Sequence, residues 1–304
     1  MKVSYIYEYI KEIEPTSILL AQFGIDISVA VQLDEFKTES LAFYSGNNIE
    51  PILNIDIDIK GLVIISDCFK DKIEKGPFLL VKNPKRTFLV LYNIIKRNLV
   101  SNIHKSSVIS GLATIGKNVS IGPNTVIGKC VIGNNVEIGS GVILSDNVSI
   151  GDGTKIYSNS VIGEPGLGSV LDYNENQIPF PHVGGVVIGE RCIICSGTQI
   201  NCGVFKNTTI GNYTHISTNC IIAHNVIIGS NVYVAAGAMI AGSVKIGNYS
   251  YLGTRSVIRD SIFIEEKSTI GIGVVLNKSI LKKGMTIMNE IKLKNFNGLF
   301  GFRQ

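Results

Sequence analysis

Residues 210–228, IGNYTHISTNCIIAHNVII, decide the fold of this chain. Within them, isoleucine recurs at every sixth position, at Ile210, Ile216, Ile222 and Ile228. A period of six matches neither the helical period of about 3.6 residues nor the strand period of about two. It is typical of hexapeptide solenoids, in which every six residues build one short strand and one corner of a triangular coil. Roughly 18 residues then complete a turn, which rises by about 4.8 Å, the spacing of hydrogen-bonded strands.

The same period extends outward in both directions, from Ile115 to Leu276, with two interruptions. The first interruption, residues 163–187, reads GEPGLGSVLDYNENQIPFPHVGGVV. The second lies in residues 201–209 and adds four residues to the repeat. A long insertion in an otherwise regular repeat is usually a functional loop on the surface of the solenoid.

Residues 1–100 lack the six-residue period. Apolar segments at 40–45, 62–66 and 78–82 predict strands, and Asn83-Pro84 predicts the start of a helix. We therefore expect a mainly β protein with three parts. They are a small α/β domain over residues 1–102, a parallel β-helix domain over 103–277 with the inserted loop 163–187, and a C-terminal cap or tail over 278–304 that covers exposed strand edges.

Composition excludes several classes of protein. Hydrophobic residues make up 45% of the 304 positions, which is enough to build a core. A net charge of +4 is too small to indicate nucleic-acid binding. The N-terminus does not resemble a signal peptide, and no apolar run is long enough to cross a membrane, so we expect a cytoplasmic protein without a membrane span. The pair Cys192 and Cys195 lacks a second pair at zinc-finger spacing, so we expect reduced structural thiols and no metal.

His224, within the motif IAHNV, is the strongest catalytic candidate. It follows the inward-facing Ile222 by two positions, so its side chain should point outward at a corner of the coil. Imidazole accepts protons near neutral pH, which suits a general base that deprotonates an attacking nucleophile. Gly242 follows one full coil later, and we expect its backbone N–H to stabilise an oxyanion. The alternative for His224 is a surface histidine at a solenoid corner.

Three further features have two interpretations each. Gly166, Leu167 and Gly168 of the first interruption form either a loop over a bound ligand or a contact between subunits. His182 in the same loop either contacts the substrate or is merely exposed. His215 faces outward, where it either contacts substrate or lies at the surface or a subunit interface.

The order of motifs resembles one known family. The motifs are LAFYS and VKNPKRTF in the α/β domain, followed by hexapeptides, the EPGLG loop, IAHNV, AGSVKIG and TIGIGV. Over roughly residues 35–277, the chain resembles the UDP-3-O-acylglucosamine N-acyltransferases of lipid A biosynthesis and their relatives that acylate nucleotide-linked amino sugars. The resemblance implies that the α/β domain is similar to a nucleotide-binding domain, that the β-helix is the acyltransferase domain, and that residues 166–168 cover a sugar or pantetheine arm. It also implies a left-handed coil, a homotrimer with sites between neighbouring coils, no permanently bound cofactor, and an acyl carrier protein thioester as the acyl donor.

The resemblance also implies roles for particular residues. His224 is the general base, Phe43 stacks on the nucleotide base, and Gly271 and Gly273 line the groove for the acyl chain or pantetheine arm. The chain departs from the family where residues for uridine, substrate or acyl-chain binding are expected, at Gly46, Ile49, Leu167, Ser217 and Ser261. Ser261, which replaces a second histidine, is kept as a candidate substrate contact.

Three alternatives to that activity remain at the level of sequence. A related transferase would use acetyl-CoA or another short acyl-CoA to acylate a nucleotide-linked amino sugar for surface polysaccharide. A zinc hydratase would need three histidines per metal at subunit seams, whereas only His182, His215 and His224 lie within the solenoid. A non-catalytic scaffold would leave the IAHNV motif unexplained.

Overall fold

The structure is a computed structural model that describes residues 1–21, 24–96 and 102–288, with backbone only for residues 93–96. The chain divides into two compact units, Met1–Leu99 and Val100–Gln304. Of the predicted C-terminal cap, residues 289–304 lie outside the described residues. Among the helices that are described, none is long and apolar enough to span a membrane.

The first unit is a small α/β fold. Its elements are the helices α1 Val3–Ile13, α2 Glu50–Leu53 and α3 Pro84–Lys96, the strands β1 Ile18–Leu19, β2 Val29–Ala30, β3 Ser40–Phe43, β4 Leu62–Ser66 and β5 Phe78–Val81, and the 3-10 turns Leu33–Glu35 and Asp67–Phe69. The sheet has the order β1-β5-β4-β3-β2, in which only β1 is antiparallel to its neighbour. The predicted strands β3, β4 and β5 and the helix α3 are confirmed, and the Asn83 side chain caps α3 by accepting the Arg86 N–H at 3.0 Å.

The second unit is a parallel β-solenoid with three faces, which we number in the order in which a coil visits them. The first face contains β6 Val108–Ile109, β9 Val126–Ile127, β12 Ile143–Leu144, β15 Val161–Ile162, β20 Gln199–Ile200, β23 Ile221–Ile222, β26 Met239–Ile240, β29 Val257–Ile258 and β32 Val275–Leu276. The second face contains β7 Thr114–Ile115, β10 Val131–Ile132, β13 Val148–Ile150, β18 Val186–Ile188, β21 Thr208–Ile210, β24 Ile227–Ile228, β27 Lys245–Ile246 and β30 Phe263–Ile264.

The third face completes each coil. It contains β8 Ser120–Ile121, β11 Glu137–Ile138, β14 Lys155–Ile156, β19 Ile193–Ile194, β22 His215–Ile216, β25 Tyr233–Val234, β28 Tyr251–Leu252, β31 Thr269–Ile270 and β33 Thr286–Ile287. Every strand pair on the three faces is parallel and in register, so each coil covers the hydrogen-bonding edge of the previous one. The predicted solenoid of hexapeptide repeats is confirmed, whereas its left-handedness stays a prediction.

The six-residue period arises because the last residue of nearly every strand points into the coil. The stacked aliphatic residues, for example Ile216, Ile222 and Ile228, form one continuous buried core. Asparagine supplies the tight corners: Asn219, with φ 55°, and Asn225, with φ 58°, adopt the left-handed conformation that asparagine tolerates better than most residues. Burial of the stacked aliphatic side chains thus stabilises each coil against the next.

Both interruptions occur at the same corner of the coil. The first follows β15 and the second follows β20, and each leads from the first face to the second face. The first interruption carries a two-stranded antiparallel hairpin, formed by β16 Ser169–Leu171 and β17 Gln177–Pro179. We call the line of turns from the first face to the second face the histidine corner, because His224 lies in the turn that follows β23.

The outward side chains of the first face are almost all apolar. Starting from β6, they are Val108, Val126, Ile143, Val161, Gln199, Ile221, Met239, Val257 and Val275. The third face instead mixes polar and aromatic outward residues, including Glu137, Lys155 and Tyr233. Of these two faces, the apolar first face has the stronger physical reason to be covered by a partner.

Candidate active site

The turn that carries His224 fixes the orientation of its imidazole. His224 is half-buried, and Asn225 follows it in the left-handed conformation, with φ 58°. The Asn225 side-chain oxygen accepts the N–H of Val204 at 2.9 Å, and the Asn225 side-chain nitrogen lies 3.2 Å from Nδ1 of His224. The second interruption therefore holds Asn225, and Asn225 in turn contacts the histidine ring.

The first interruption brings a second histidine to this place. His182 lies against His224, with ring centroids 5.3 Å apart and ring planes at 75°. Nδ1 of His182 lies 3.0 Å from the carbonyl oxygen of Phe180, to which it donates a hydrogen bond. Nε2 of His182 is buried and has no hydrogen-bond partner among the described residues. An unpaired polar atom at a buried position is a common feature of functional sites.

Two glycines make room for the imidazole pair. A Cβ placed on Gly166 would lie 3.3 Å from Nε2 of His182 and 3.3 Å from Cδ2 of His224, so the EPGLG backbone borders both rings. A Cβ placed on Gly242 would lie 2.6 Å from Cε1 of His224. The space above Gly242 is therefore filled by the imidazole itself.

The backbone of Gly242 is also available for hydrogen bonding. Its carbonyl accepts the Ser261 N–H, and the next residue, Ser243, donates to the His224 carbonyl. Its own N–H has no acceptor within the part of the chain that the structure describes. The N–H adjoins the imidazole, so the predicted role as an oxyanion donor stays open to test.

The electrostatics of the site favour a neutral imidazole at His224. Burial lowers the pKa of His224 below its ordinary value, and the neighbouring His182 lowers it further by charge repulsion. A His224 ring that is neutral near pH 7 retains one N–H donor and one lone pair. His224 can thus accept a proton from a bound group without first losing one of its own.

Contacts at both ends hold the first interruption against the coil. The Asn201 side chain donates to the carbonyls of Glu164 and Pro165, at 3.1 Å and 3.2 Å. The Ser145 hydroxyl donates to the Glu164 carboxylate at 2.6 Å. At the far end, the Val183 N–H donates to the Val204 carbonyl at 2.8 Å. The loop that carries His182 is therefore bonded both to the coil and to the second interruption.

The other residues singled out from the sequence fall into two groups. Ser261 lies on the histidine corner, two coils beyond His224, and is exposed. His215 points outward from β22 on the third face, which lies across the triangular coil from the histidine corner. Gly271 and Gly273 follow β31 at the corner between the third and first faces, and a Cβ on Gly271 would meet Sδ of Met288 at 2.7 Å. Within one chain, the structure does not bring these last three residues to His224.

Two further candidates have local surroundings of their own. Phe43 packs on Phe88 in the first unit, with ring centroids 4.7 Å apart, and is half-buried in its core. Stacking of Phe43 on a nucleotide base stays a prediction. Leu167 is 88% exposed at the tip of the EPGLG segment, whereas Gly168 lies beside Phe180 and His182.

Sequence reasoning missed the residues that hold the two imidazoles. Asn225 was visible within IAHNV, yet its contact with His224 depends on Val204, which is 21 residues away in sequence. The carbonyl of Phe180 and the amide of Asn201 gave no signal in the sequence. The position of both interruptions at one corner could have been counted from the repeat, because each follows a first-face strand.

Comparisons with known proteins agree with this architecture. The model of the bacterial transferase hexapeptide family (six repeats) matches residues 129–164, 207–242 and 228–260. The chain is 37% identical over 136 residues to a UDP-3-O-acylglucosamine N-acyltransferase 1 of Francisella tularensis subsp. holarctica, an alignment that covers 38% of this chain and 39% of that protein. It therefore spans about two fifths of the length of the curated relatives it matches.

Two further relatives carry a different acceptor in their names. An acyl-(acyl-carrier-protein)–UDP-N-acetylglucosamine O-acyltransferase of Rickettsia bellii is 33% identical over 113 residues, which cover 37% of this chain and 38% of that one. The solved UDP-N-acetylglucosamine acyltransferase of Francisella novicida superposes with a TM-score of 0.54 at 28% identity, over 59% of this chain and 63% of that one. The predicted resemblance to hexapeptide-repeat acyltransferases of the lipid A pathway is confirmed.

Proposed function

We propose that this protein is an N-acyltransferase that moves an acyl group from a thioester to the amine of a nucleotide-linked amino sugar, in lipid A or other cell-surface glycoconjugate biosynthesis. The imidazole pair of His182 and His224 carries the proposal. Acyl transfer to an amine needs a group that accepts a proton and a donor that stabilises the oxyanion, and imidazoles can serve in both ways. In this proposal His224 is the general base, as the sequence predicts.

The acyl donor in this proposal is an acyl carrier protein thioester. The relatives named above include an enzyme whose name specifies acyl carrier protein, which supports this donor. A short acyl-CoA is the alternative, because Ser261 stands at the histidine corner in place of the second histidine expected by resemblance. The two donors share the phosphopantetheine arm, so an acyl group on either one would react through the same thioester.

The apolar first face supports assembly into a homotrimer. Its outward residues, such as Met239, at 44% exposure, and Val257, at 36%, form a continuous column along the solenoid. Three copies that pack these columns against one another form a closed ring without an unmatched interface. The histidine corner borders the first face, so each imidazole pair would lie beside a seam between copies.

The activity can be tested with a matrix of donors and acceptors. Purified protein is incubated with acetyl-CoA or with an acyl carrier protein charged with short or long acyl chains. The acceptors are UDP-glucosamine and a panel of UDP- and dTDP-linked amino sugars. Thiol release and the mass of the product are followed, and treatment with mild base separates an amide from an ester. The absence of any acylated product across the matrix would overturn the proposal, and an ester would move it to O-acyl transfer.

The role of His224 is tested by the variant His224→Ala. Its turnover should fall by about 10²–10⁴-fold, the range for the loss of a general base or an oxyanion donor. Nucleotide-sugar binding should change little, because these contacts act mainly in the transition state. His215→Ala serves as the control, since His215 lies on the opposite third face. Near-full turnover of His224→Ala would show that His224 is structural.

A further inference from the structure

We propose that Asn201, the first residue of the second interruption, is a positioning residue of this site, which holds the EPGLG backbone against the imidazole of His224. His224 remains the general base, so the inference rests on the acyl transfer proposed above and adds a residue to it. No motif or spacing in the sequence singles out Asn201. The hydrogen bonds of its buried side chain carry the inference.

The EPGLG segment runs along the histidine corner across two coils. It leaves the solenoid after β15, whereas His224 lies in the turn after β23, and β20 lies between these strands on the first face. Each coil rises by about 4.8 Å, so the segment must rise by about 10 Å to reach the ring. Gly166 does so only four residues after the end of β15, and its missing Cβ would lie 3.3 Å from Cδ2 of His224. The segment therefore passes directly over the turn that follows β20.

Asn201 is the first residue of that intermediate turn. Its backbone N–H donates to the Ile222 carbonyl at 2.9 Å, which fixes the residue within the coil. Its side-chain nitrogen donates to the carbonyls of Glu164 and Pro165, at 3.1 Å and 3.2 Å. An amide nitrogen carries two N–H groups, so this one side chain holds two consecutive carbonyls directly before Gly166.

The position requires a hydrogen-bond donor. Asn201 is only 6% exposed, so water competes little for its N–H groups or for the carbonyls that they bind. The Glu164 carbonyl also accepts the Cys202 N–H at 3.0 Å, which ties the same peptide to the next residue of the turn. An aspartate would have the same shape but no N–H, and its charge would face two carbonyl oxygens. The alternative role for Asn201 is a buried amide that stabilises the solenoid alone.

The loop determines the surroundings of the base. Gly166 covers one side of the His224 ring, and the same loop carries His182, whose ring centroid lies 5.3 Å from that of His224. Burial is the first cause of the lowered pKa of His224, and His182 is the second. Both causes depend on the loop that Asn201 holds. We therefore expect loss of the Asn201 bonds to change the proton affinity and the position of His224, and to act on catalysis only through that ring.

The first test needs no substrate. The pKa of His224 is measured by nuclear magnetic resonance of histidine-labelled protein, with assignment from His224→Gln. Asn201→Leu keeps the shape of the side chain, removes both N–H groups and adds no charge. Thr198→Val is the matched control, because Thr198 is buried at the other end of β20 and donates to the Ser217 carbonyl at 2.9 Å.

We expect the pKa of His224 to rise toward the ordinary value of imidazole in Asn201→Leu and to stay at the wild-type value in Thr198→Val. Both variants lose a buried hydrogen bond, so both should melt at a lower temperature. An unchanged pKa in Asn201→Leu, or an equal rise in Thr198→Val, would overturn the inference and leave Asn201 a structural residue.

The second test measures turnover with the best donor and acceptor of the wild type. Asn201→Leu and Asn201→Asp should each lower it by about 10–10²-fold, since a displacement of about 1 Å at a reacting group can cost about 10²-fold. Thr198→Val should stay within about twofold of wild type. The acidic limb of the pH–rate profile of Asn201→Leu should move to higher pH, as the pKa of its base does.

A double variant tests whether Asn201 acts through His224. In the His224→Ala background, Asn201→Leu should lower the residual turnover by less than about twofold, because the ring that it positions is gone. A loss as large as in the wild-type background would overturn the inference, since Asn201 would then act independently of His224. A wild type without acylation activity would reject the proposed function, and the pKa comparison would still decide whether Asn201 positions His224.

Discussion

Gly242→Ala is the substitution whose effect follows most directly from the geometry of the site. The new Cβ would lie 2.6 Å from Cε1 and 2.8 Å from Nε2 of His224, whereas carbon atoms in contact prefer about 3.5–4.0 Å. The imidazole must therefore move by about 1 Å. Such a shift disrupts the 3.2 Å contact between Asn225 and Nδ1 of His224. A displacement of about 1 Å at a reacting group can lower the rate about 10²-fold.

Stability should change much less than activity in this variant. Gly242 does not have a positive φ, so alanine fits the backbone, and it stabilises by about 0.4–1 kcal/mol through the unfolded chain. The ring of His224 is the end of a side chain and can move aside at modest cost. We expect a melting temperature within a few degrees of wild type and turnover lower by about 10²-fold.

The assay is the initial rate of thiol release, measured beside thermal unfolding by circular dichroism. Gly111→Ala is the matched control. Gly111 occupies the same corner at the far end of the solenoid, and a Cβ there would meet nothing within 4 Å. Turnover of Gly242→Ala within about twofold of wild type would refute the reasoning that Gly242 holds His224 in place. A loss of activity that only parallels unfolding would refute it equally.

Two further predictions concern assembly and pH. Met239→Glu places a carboxylate in the apolar first face, so it should dissociate the trimer. The mass measured by light scattering should fall from about 99 kDa, three times 32.9 kDa, to that of the monomer, whereas Thr269→Glu on the third face should leave the mass unchanged. A monomeric wild type would exclude the trimer. The folded pKa of His224 lies below its unfolded value, so the unfolded chain binds more protons and stability falls as the pH drops below about 6.5. The other titratable groups around His224 are Glu164, Cys202 and His182. Because His224→Gln removes the group with the lowered pKa, this variant should lose less melting temperature than the wild type between about pH 7 and 5. An equal loss in both proteins would argue against the lowered pKa of His224.

The repeat itself was readable because its physics is local. Every strand needs an inward-facing aliphatic residue, such as Ile216 or Ile222, and every tight corner needs a residue that tolerates the left-handed conformation, such as Asn219. The spacing of these residue types in the sequence therefore predicts the coil directly. The six-residue period also predicted that His224, within the motif IAHNV, lies at a corner of the coil with its side chain pointing outward. In the first unit, α1 was not predicted although its buried residues Val3, Ile6 and Ile10 have helical spacing, and the two-residue strand β1 is too short to show a period.

Proximity between distant segments required the tertiary structure. No spacing in the sequence indicates that His182 lies 5.3 Å from His224, since a loop closure across 42 residues depends on the contacts of Asn201, Glu164 and Val204. Likewise, the sequence identified Gly242 one coil beyond His224 but not that the imidazole fills the space above it. The sequence alone determined the solenoid and the corner that carries the histidine, because both follow from a repeated local rule. Only the tertiary structure decided which groups surround the two rings, because Phe180, Val204 and Asn225 come from separate coils and from the two insertions.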